Sequence, residues 1–441
     1  MRKWLGLVLI AALLLISACA APAAPGGGAA APAAEATDAA ADTGAAAAAP
    51  AEGSGEQVTI TYAIWDNNQL PAHEKIIEAF EAQHPNINVE PQVVPWGDYW
   101  TKLQTAVAGG EAYDTFWMNG PNFPVYAAKG VLTDLQPMVD ADGLDMSKYP
   151  QSLVDLYSYN GDVYGLPKDF DTIGLFYNKD LFDKAGVAYP DDTWTWDTLT
   201  EAAKKLTDPD AGVWGFASTL EDQSNYWNFI YQNGGQVIAE DGSKVLLDDP
   251  AACDALQYAY SFVADGASPD GATMSSVDPA TQLFPGGKVA MITAGSWMVK
   301  PYAESGLNID VAPLPQGTQR ATIIHGLSNV IWSGTQHPQE AWEWVKFLGG
   351  EEAAKIQAES GTVIPAYAGM QDVWVGSVPA MKLQTFIDSL EYAVPYPTAA
   401  QGMEWNAEVA KVLTEVWMGN MPPDNMCADA AAAANAVLSQ Q

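Results

Sequence analysis

The side chains able to do chemistry in this 441-residue chain are aromatic rings and carboxylates, and few others. There are 16 Trp, 18 Tyr and 12 Phe, and 54 Asp+Glu stand against 19 Lys+Arg for a formal net charge of −35. The four histidines, His73, His84, His325 and His337, are scattered without an HExxH or paired spacing, so no zinc site and no other metal or cofactor is expected. Ser296 lies in Gly-Ser-Trp, which is not a nucleophile elbow. Pro285-Gly-Gly-Lys288 reads as a turn and lacks the spacing of a phosphate loop. A carboxylate pair for glycoside hydrolysis can be chosen almost anywhere among so many acids; a secreted carbohydrate-active enzyme therefore stays only as the alternative reading. An adhesin for a polymer would share the rings but lacks repeated modules. Rings and carboxylates together suit a polyhydroxylated ligand, its C–H faces stacking on rings and its hydroxyls donating to carboxylates. The acidic balance repels nucleic acid and anionic headgroups, which excludes nucleic acid as a partner.

The elements that must position these groups begin after a leader. Met1-Arg2-Lys3 is a basic start, and Trp4 to Ile16 is an apolar run too short to span a bilayer and sized for a signal peptide. Leu15-Ile16-Ser17-Ala18-Cys19 resembles a bacterial lipobox, which makes 1–18 a lipoprotein signal and Cys19 the lipidated residue. Loss of Arg2 and Lys3 with that leader makes the chain two charges more negative. Residues 20–57 are Ala/Pro/Gly-rich and lack aromatics, the composition of a disordered tether. Cys253 and Cys427 both fall in predicted helices, and their types leave a disulfide and two free thiols equally open.

From Val58 the pattern is α/β. Strands are expected at 58–65, 87–94 and 115–118, with helices at 71–83 and 99–108 between them, the second capped by Asp98. Ligands of such sheets gather beyond the carboxyl ends of the strands, where Trp65-Asp66 and Trp117-Met118-Asn119 stand. The stretch Tyr164–Trp196 reads as a polar crossing at Lys168–Asp171 and a strand at 172–177. A short helix capped by Asp180 and closed by Gly186 follows, then a helix from Trp196 to Leu206 capped by Thr195. Further helices are expected at 250–264, 341–348, 403–417 and 428–439.

Six segments match one family in its own order. They are Phe80–Glu90, Leu103–Gly110, Tyr126–Leu132, Phe176–Phe182 with Thr193-Trp194, Phe284–Met291 and Ala341–Leu348. On these the chain resembles the extracellular solute-binding proteins of bacterial ABC importers, in the branch that includes maltose-binding protein. The resemblance implies a two-lobed α/β periplasmic-binding-protein fold that holds a sugar in the cleft between the lobes. Lobe 1 would comprise 58–168 plus 297–328 and lobe 2 would comprise 169–296 plus 329–441, with crossings near Lys168–Thr172, Ala294–Trp297 and Leu327–Ile331. It also implies ABC permease subunits as partners, a monomer, no enzymatic activity, and export to the outer face of the cytoplasmic membrane. Carried over position by position, the ligand-binding residues are Trp65, Asp66, Trp117, Asn119, Asp171, Asp222, Trp227, Trp297 and Trp405. Where relatives carry charged residues after the third strand, this chain has Asn119-Gly-Pro-Asn122, a departure from a maltose-like site. Trp96-Gly-Asp-Tyr99 lies within reach of the cleft, but the cap role of Asp98 is the simpler reading. Trp214, Trp342 and Trp344 are expected in the core.

Overall fold

The computed structural model describes residues 57–399 and 402–439. The leader, Cys19 and the 20–57 tether, apart from Gln57, lie outside them. Val58–Ile64 (β1), Leu70–Gln83 (α1), Ile87–Val93 (β2), Trp96–Gly109 (α2) and Thr115–Asn119 (β3) alternate as expected, and β1 pairs in parallel with both β2 and β3. Pro95 occupies the cap position of α2 without a side-chain bond. Asp98 therefore does not cap the helix; it sits in the first turn and pairs with Lys102.

Gly165–Asp171 (β4) and Ile173–Asn178 (β5) are buried along their whole length, yet they belong to different sheets. The first sheet has seven strands. Its order is β9 (Ile364–Pro365), β4, β8 (Thr322–Ile331), β3, β1, β2, with β10 (Ala393–Pro395) added on β8. The second is three-stranded, with β5 between β6 (Met291–Gly295) and β7 (Ile309–Ala312). The chain leaves the first sheet at Asp171–Ile173, as the polar crossing suggested.

The other two crossings differ from expectation. Because β6 and β7 both pair with β5, residues 291–312 stay with the second lobe. The return is made inside β8. Thr322 Oγ1 accepts from the Ile173 amide, whereas His325 already pairs with Asp171 and Leu327–Ile331 with β3. After it, α3 (Pro338–Leu348) and α4 (Glu351–Ser360) pack in the first lobe, with Trp344 edge-on to Tyr62 at 5.3 Å and Glu352 bonded to Gln83. The last crossing falls between Val375 and Lys382, whose amide donates to Asp310 of β7. The sequence signals for strands were sound, but which sheet a strand joins depends on partners more than a hundred residues away.

The second lobe carries the larger core. Leu175, Leu199, Trp227, Trp405 and Trp417 are buried together beneath α5 (Glu404–Trp417) and α6 (Met426–Leu438). Cys253 and Cys427 are bonded, tying the helix Pro250–Ala264 to α6. Asn178, rather than Asp180, caps the helix Lys179–Ala185, accepting from the amides of Asp180 and Leu181, and Gly186 closes it at φ 65°. Thr195 caps Trp196–Leu206 as expected.

Candidate functional site

The crossings leave a cleft of about 780 Å³ between the lobes, lined from both sides. On the first lobe its wall is built where β1 and β3 end. Trp65 packs edge-on against Trp96, Tyr99 and Trp117 at centroid distances of 5.3, 5.0 and 4.9 Å. Trp96, at the start of α2, is 54% exposed, and with Trp100 it extends the aromatic surface. Asp66 forms a turn, accepting from the Asn68 amide at 2.8 Å and Gln69 Nε2 at 3.0 Å. Gln69 in turn accepts from Lys168 Nζ at 2.8 Å.

Lys168 is 2% exposed, ion-paired with Asp169, and 4.3 Å above the Trp117 ring. The other oxygen of Asp169 accepts from the Leu327 amide, so this buried pair joins β4 to β8 beneath the cleft floor. A buried ion pair costs desolvation that only good geometry and further hydrogen bonds offset, and here both are present.

Asn119 accepts from the amide and side chain of Asn122 and shapes the loop at the β3 end. Beside it the Gly120 amide donates to His325 Nε2 at 3.2 Å, which leaves the neutral imidazole protonated on Nδ1, facing Asp171 at 3.8 Å. Asp171 also accepts from Gln223 Nε2 at 2.6 Å, a bond from the crossing strand to the second lobe. Burial lifts the Asp171 carboxyl to about 6, against the opposing pull of His325.

On the second lobe a single wide turn, Asp222–Tyr226, presents Asp222, Gln223 and Ser224 to the cleft. Asp222 accepts from its neighbour's amide and from Asn406 of α5, and burial raises its pKa. Glu221 is surrounded by protein on most sides but open to the water in the cleft; desolvation and the nearby charges of Asp222 and Asp278 lift it to about 7. Trp297 follows β6 and lies back over Gly295, where a Cβ would come within 1.8 Å of its ring. Tyr396 stands 5.1 Å from the His325 ring and 4.9 Å from Trp227.

The structure thus brings Trp65, Asp66, Asn119, Asp171, Asp222 and Trp297 to one cleft. It does not bring Trp117, Trp227 or Trp405 there. Trp117 is fully buried, with its indole N–H donated to the Tyr62 hydroxyl. Trp227 and Trp405 are also buried, their rings nearly parallel 6.1 Å apart in the second-lobe core. In each case a neighbour faces the cleft instead: Asn119 for Trp117, Asp222 for Trp227, and Met403, Glu404 and Asn406 for Trp405. One residue of helix is a rotation of about 100°, so naming the right turn of α5 still misses the right side chain.

His325, Tyr396 and Glu221 had no sequence signal of their own. His325 lies in a strand that is buried along almost its whole length, so no inward–outward alternation marks it.

Two α/β lobes, three crossings and a ligand-sized cleft between them define a two-lobed solute-binding protein. Residues 66–355 match the family model described as bacterial extracellular solute-binding protein, and the chain belongs to that family. It is 25% identical over 315 residues to the galactooligosaccharide-binding protein of Bacillus subtilis (strain 168), covering 69% of this chain and 72% of that one. The ABC substrate-binding protein of Listeria monocytogenes in complex with cycloalternan superposes with a TM-score of 0.83 at 30% identity, covering 87% of this chain and 100% of that one. An ABC transporter solute-binding protein of Thermotoga lettingae bound with α-D-tagatose gives 0.77 at 25% identity, over 87% and 100% of the two chains.

Proposed function

We propose that this protein is the substrate-binding component of an ABC importer, capturing a mono- or oligosaccharide between its lobes and passing it unaltered to the permease subunits. One observation carries the reading. A single cleft presents exposed tryptophan faces from the first lobe and acceptor side chains from both lobes, the two kinds of surface that a sugar ring has. The names of the relatives, which give galactooligosaccharide, cycloalternan and α-D-tagatose as what they bind or hold, point the same way. Among the described residues no lysine or arginine lines the cleft, which disfavours a phosphorylated ligand.

A ligand touching both walls makes all its contacts only when the lobes are closed, and that difference in affinity drives closure. The closed shape is what the permease would read. Export fits the Cys253–Cys427 disulfide. A lipid on Cys19 with the 20–57 tether would hold a monomeric body at the outer face of the cytoplasmic membrane. Cys19→Ser should move the protein from the membrane fraction to the soluble one; unchanged fractionation would refute the anchor.

Calorimetry across a sugar panel, with chromatography of the recovered sugar, tests the main reading. Saturable binding with intact sugar is expected. Cleavage of the bound glycan would replace this reading with the enzymatic one.

A further inference from the structure

Six carboxylates of the cleft, Asp66, Asp171, Glu221, Asp222, Asp278 and Glu404, face a cavity whose described lining includes neither lysine nor arginine. Asp169, the other acid in the wall, is already matched by buried Lys168. Of the six, Asp171 alone has a basic neighbour in the cleft, His325. Such an arrangement costs free energy in the empty protein, because like charges in a partly desolvated cavity repel. At Glu221 the charges of Asp222 and Asp278 add to desolvation in raising the carboxyl, whereas Asp222 is raised by desolvation alone. A metal ion does not account for it: among the described residues no group of three or more acidic, histidine or cysteine side chains is set to hold one.

The cavity also has ring faces. Trp65, Trp96 and Trp297 present electron-rich surfaces beside the acids, and Tyr396 holds its hydroxyl against Asp222. Rings and carboxylates around one space favour a cation that is also broad and partly apolar. A neutral sugar would use the rings and accept the carboxylates as hydrogen-bond partners, but would leave their charge uncompensated. Carrying an amine on the same sugar frame offsets part of it without changing the shape to be held.

We infer that the solute taken by this cleft is a cationic sugar, an amino sugar or a basic glycoside, whose ammonium group sits at Glu221 and Asp222. This rests on the sugar-binding reading above and narrows its substrate class. The strongly acidic chain as a whole would also draw such a ligand in.

The test is calorimetry on the mature protein with α- and β-linked mono- to tetrasaccharides, each neutral member paired with its amino counterpart of equal length and linkage. Glucosamine oligomers against N-acetylglucosamine and glucose oligomers form one such set. The best-binding pair should favour the amine by about tenfold or more, the difference between a charge-assisted and a neutral hydrogen bond. That ratio should shrink at high salt and narrow in Glu221→Gln, with Lys346→Ala, remote from the cleft, leaving it in place. Neutral members binding as tightly as their amines would overturn the inference and leave the sugar reading intact. Binding of neither kind anywhere in the panel would overturn both. An amine preference insensitive to salt and to Glu221→Gln would also overturn it, since the charge would then not be what is read.

Discussion

Replacing Gly295 by alanine tests how the cleft holds its second-lobe tryptophan. The backbone itself should not object, because Gly295 sits at φ −78° and ψ 165°, a conformation open to any residue. The difficulty is space. A Cβ there would lie 1.8 Å from Cζ3 of Trp297 and 2.2 Å from Cε3 and Cη2, whereas carbon atoms rest at about 3.5–4 Å. The ring must therefore move by about 1.5–2 Å. It packs against the cores on both sides of the second sheet, so that movement disturbs more than the cleft. Overpacking of this kind costs about 1–3 kcal/mol. Urea melts of Gly295→Ala, Trp297→Ala and the double variant form the assay. The alanine penalty should nearly vanish once the indole is gone, giving a coupling of similar size. Sugar affinity should fall in both single variants. Equal penalties with and without the indole would refute the argument that Gly295 exists to seat Trp297.

Trp405→Ala separates core from cleft. The residue is buried, so stability should drop by about 3–5 kcal/mol in denaturant melts, with a smaller loss of affinity than Trp297→Ala gives. Asp171 sets a pH dependence. Its carboxyl is lifted from the ordinary 3.8 to about 6 in the folded protein, so between those values the native state keeps a proton that the unfolded chain has lost. Stability should therefore fall as pH rises from about 4 to about 6, by up to roughly 3 kcal/mol, and Asp171→Asn should flatten that slope in melts followed across the window. The disulfide joins cysteines 174 positions apart. Its removal in Cys253→Ser should cost about 2–5 kcal/mol, and a reductant should lower the melting temperature of the native chain but not of the variant.

The alternation of strands and helices before residue 120 was legible because each element is bounded by local signals: Pro85, Gly109-Gly110 and the polar turns. Trp196–Leu206 was legible for the same reason, with its Thr195 cap. The sheet to which β7 and β8 belong was not, since the deciding partners, Tyr177 for Asp310 and Asp171 for His325, are far away in sequence. Asp66, at a strand end, reached the cleft because charged groups resist burial and mark where water enters, whereas Asp171 is itself buried and was legible only from its place in the polar crossing. Tryptophan carries no such mark. Trp297 and Trp405 have the same composition on either side of the question, and only the packing of α5 against Trp227 distinguishes them.

The position of β8 in the first sheet also bears on how the protein is made. It lies between β3 and β4 and joins strands that have no other bond to each other in that sheet. During synthesis at about 5–20 residues per second, β3 is complete roughly 10–40 s before β8 exists. For that interval the edges of β3 and β4 stand unpaired, and the second lobe still lacks α5, α6 and the partner of Cys253. Neither lobe can close its core until the final third of the chain has been delivered. The topology thus postpones the folded state until the chain is nearly complete, and the disulfide can form only once Cys427 has been delivered.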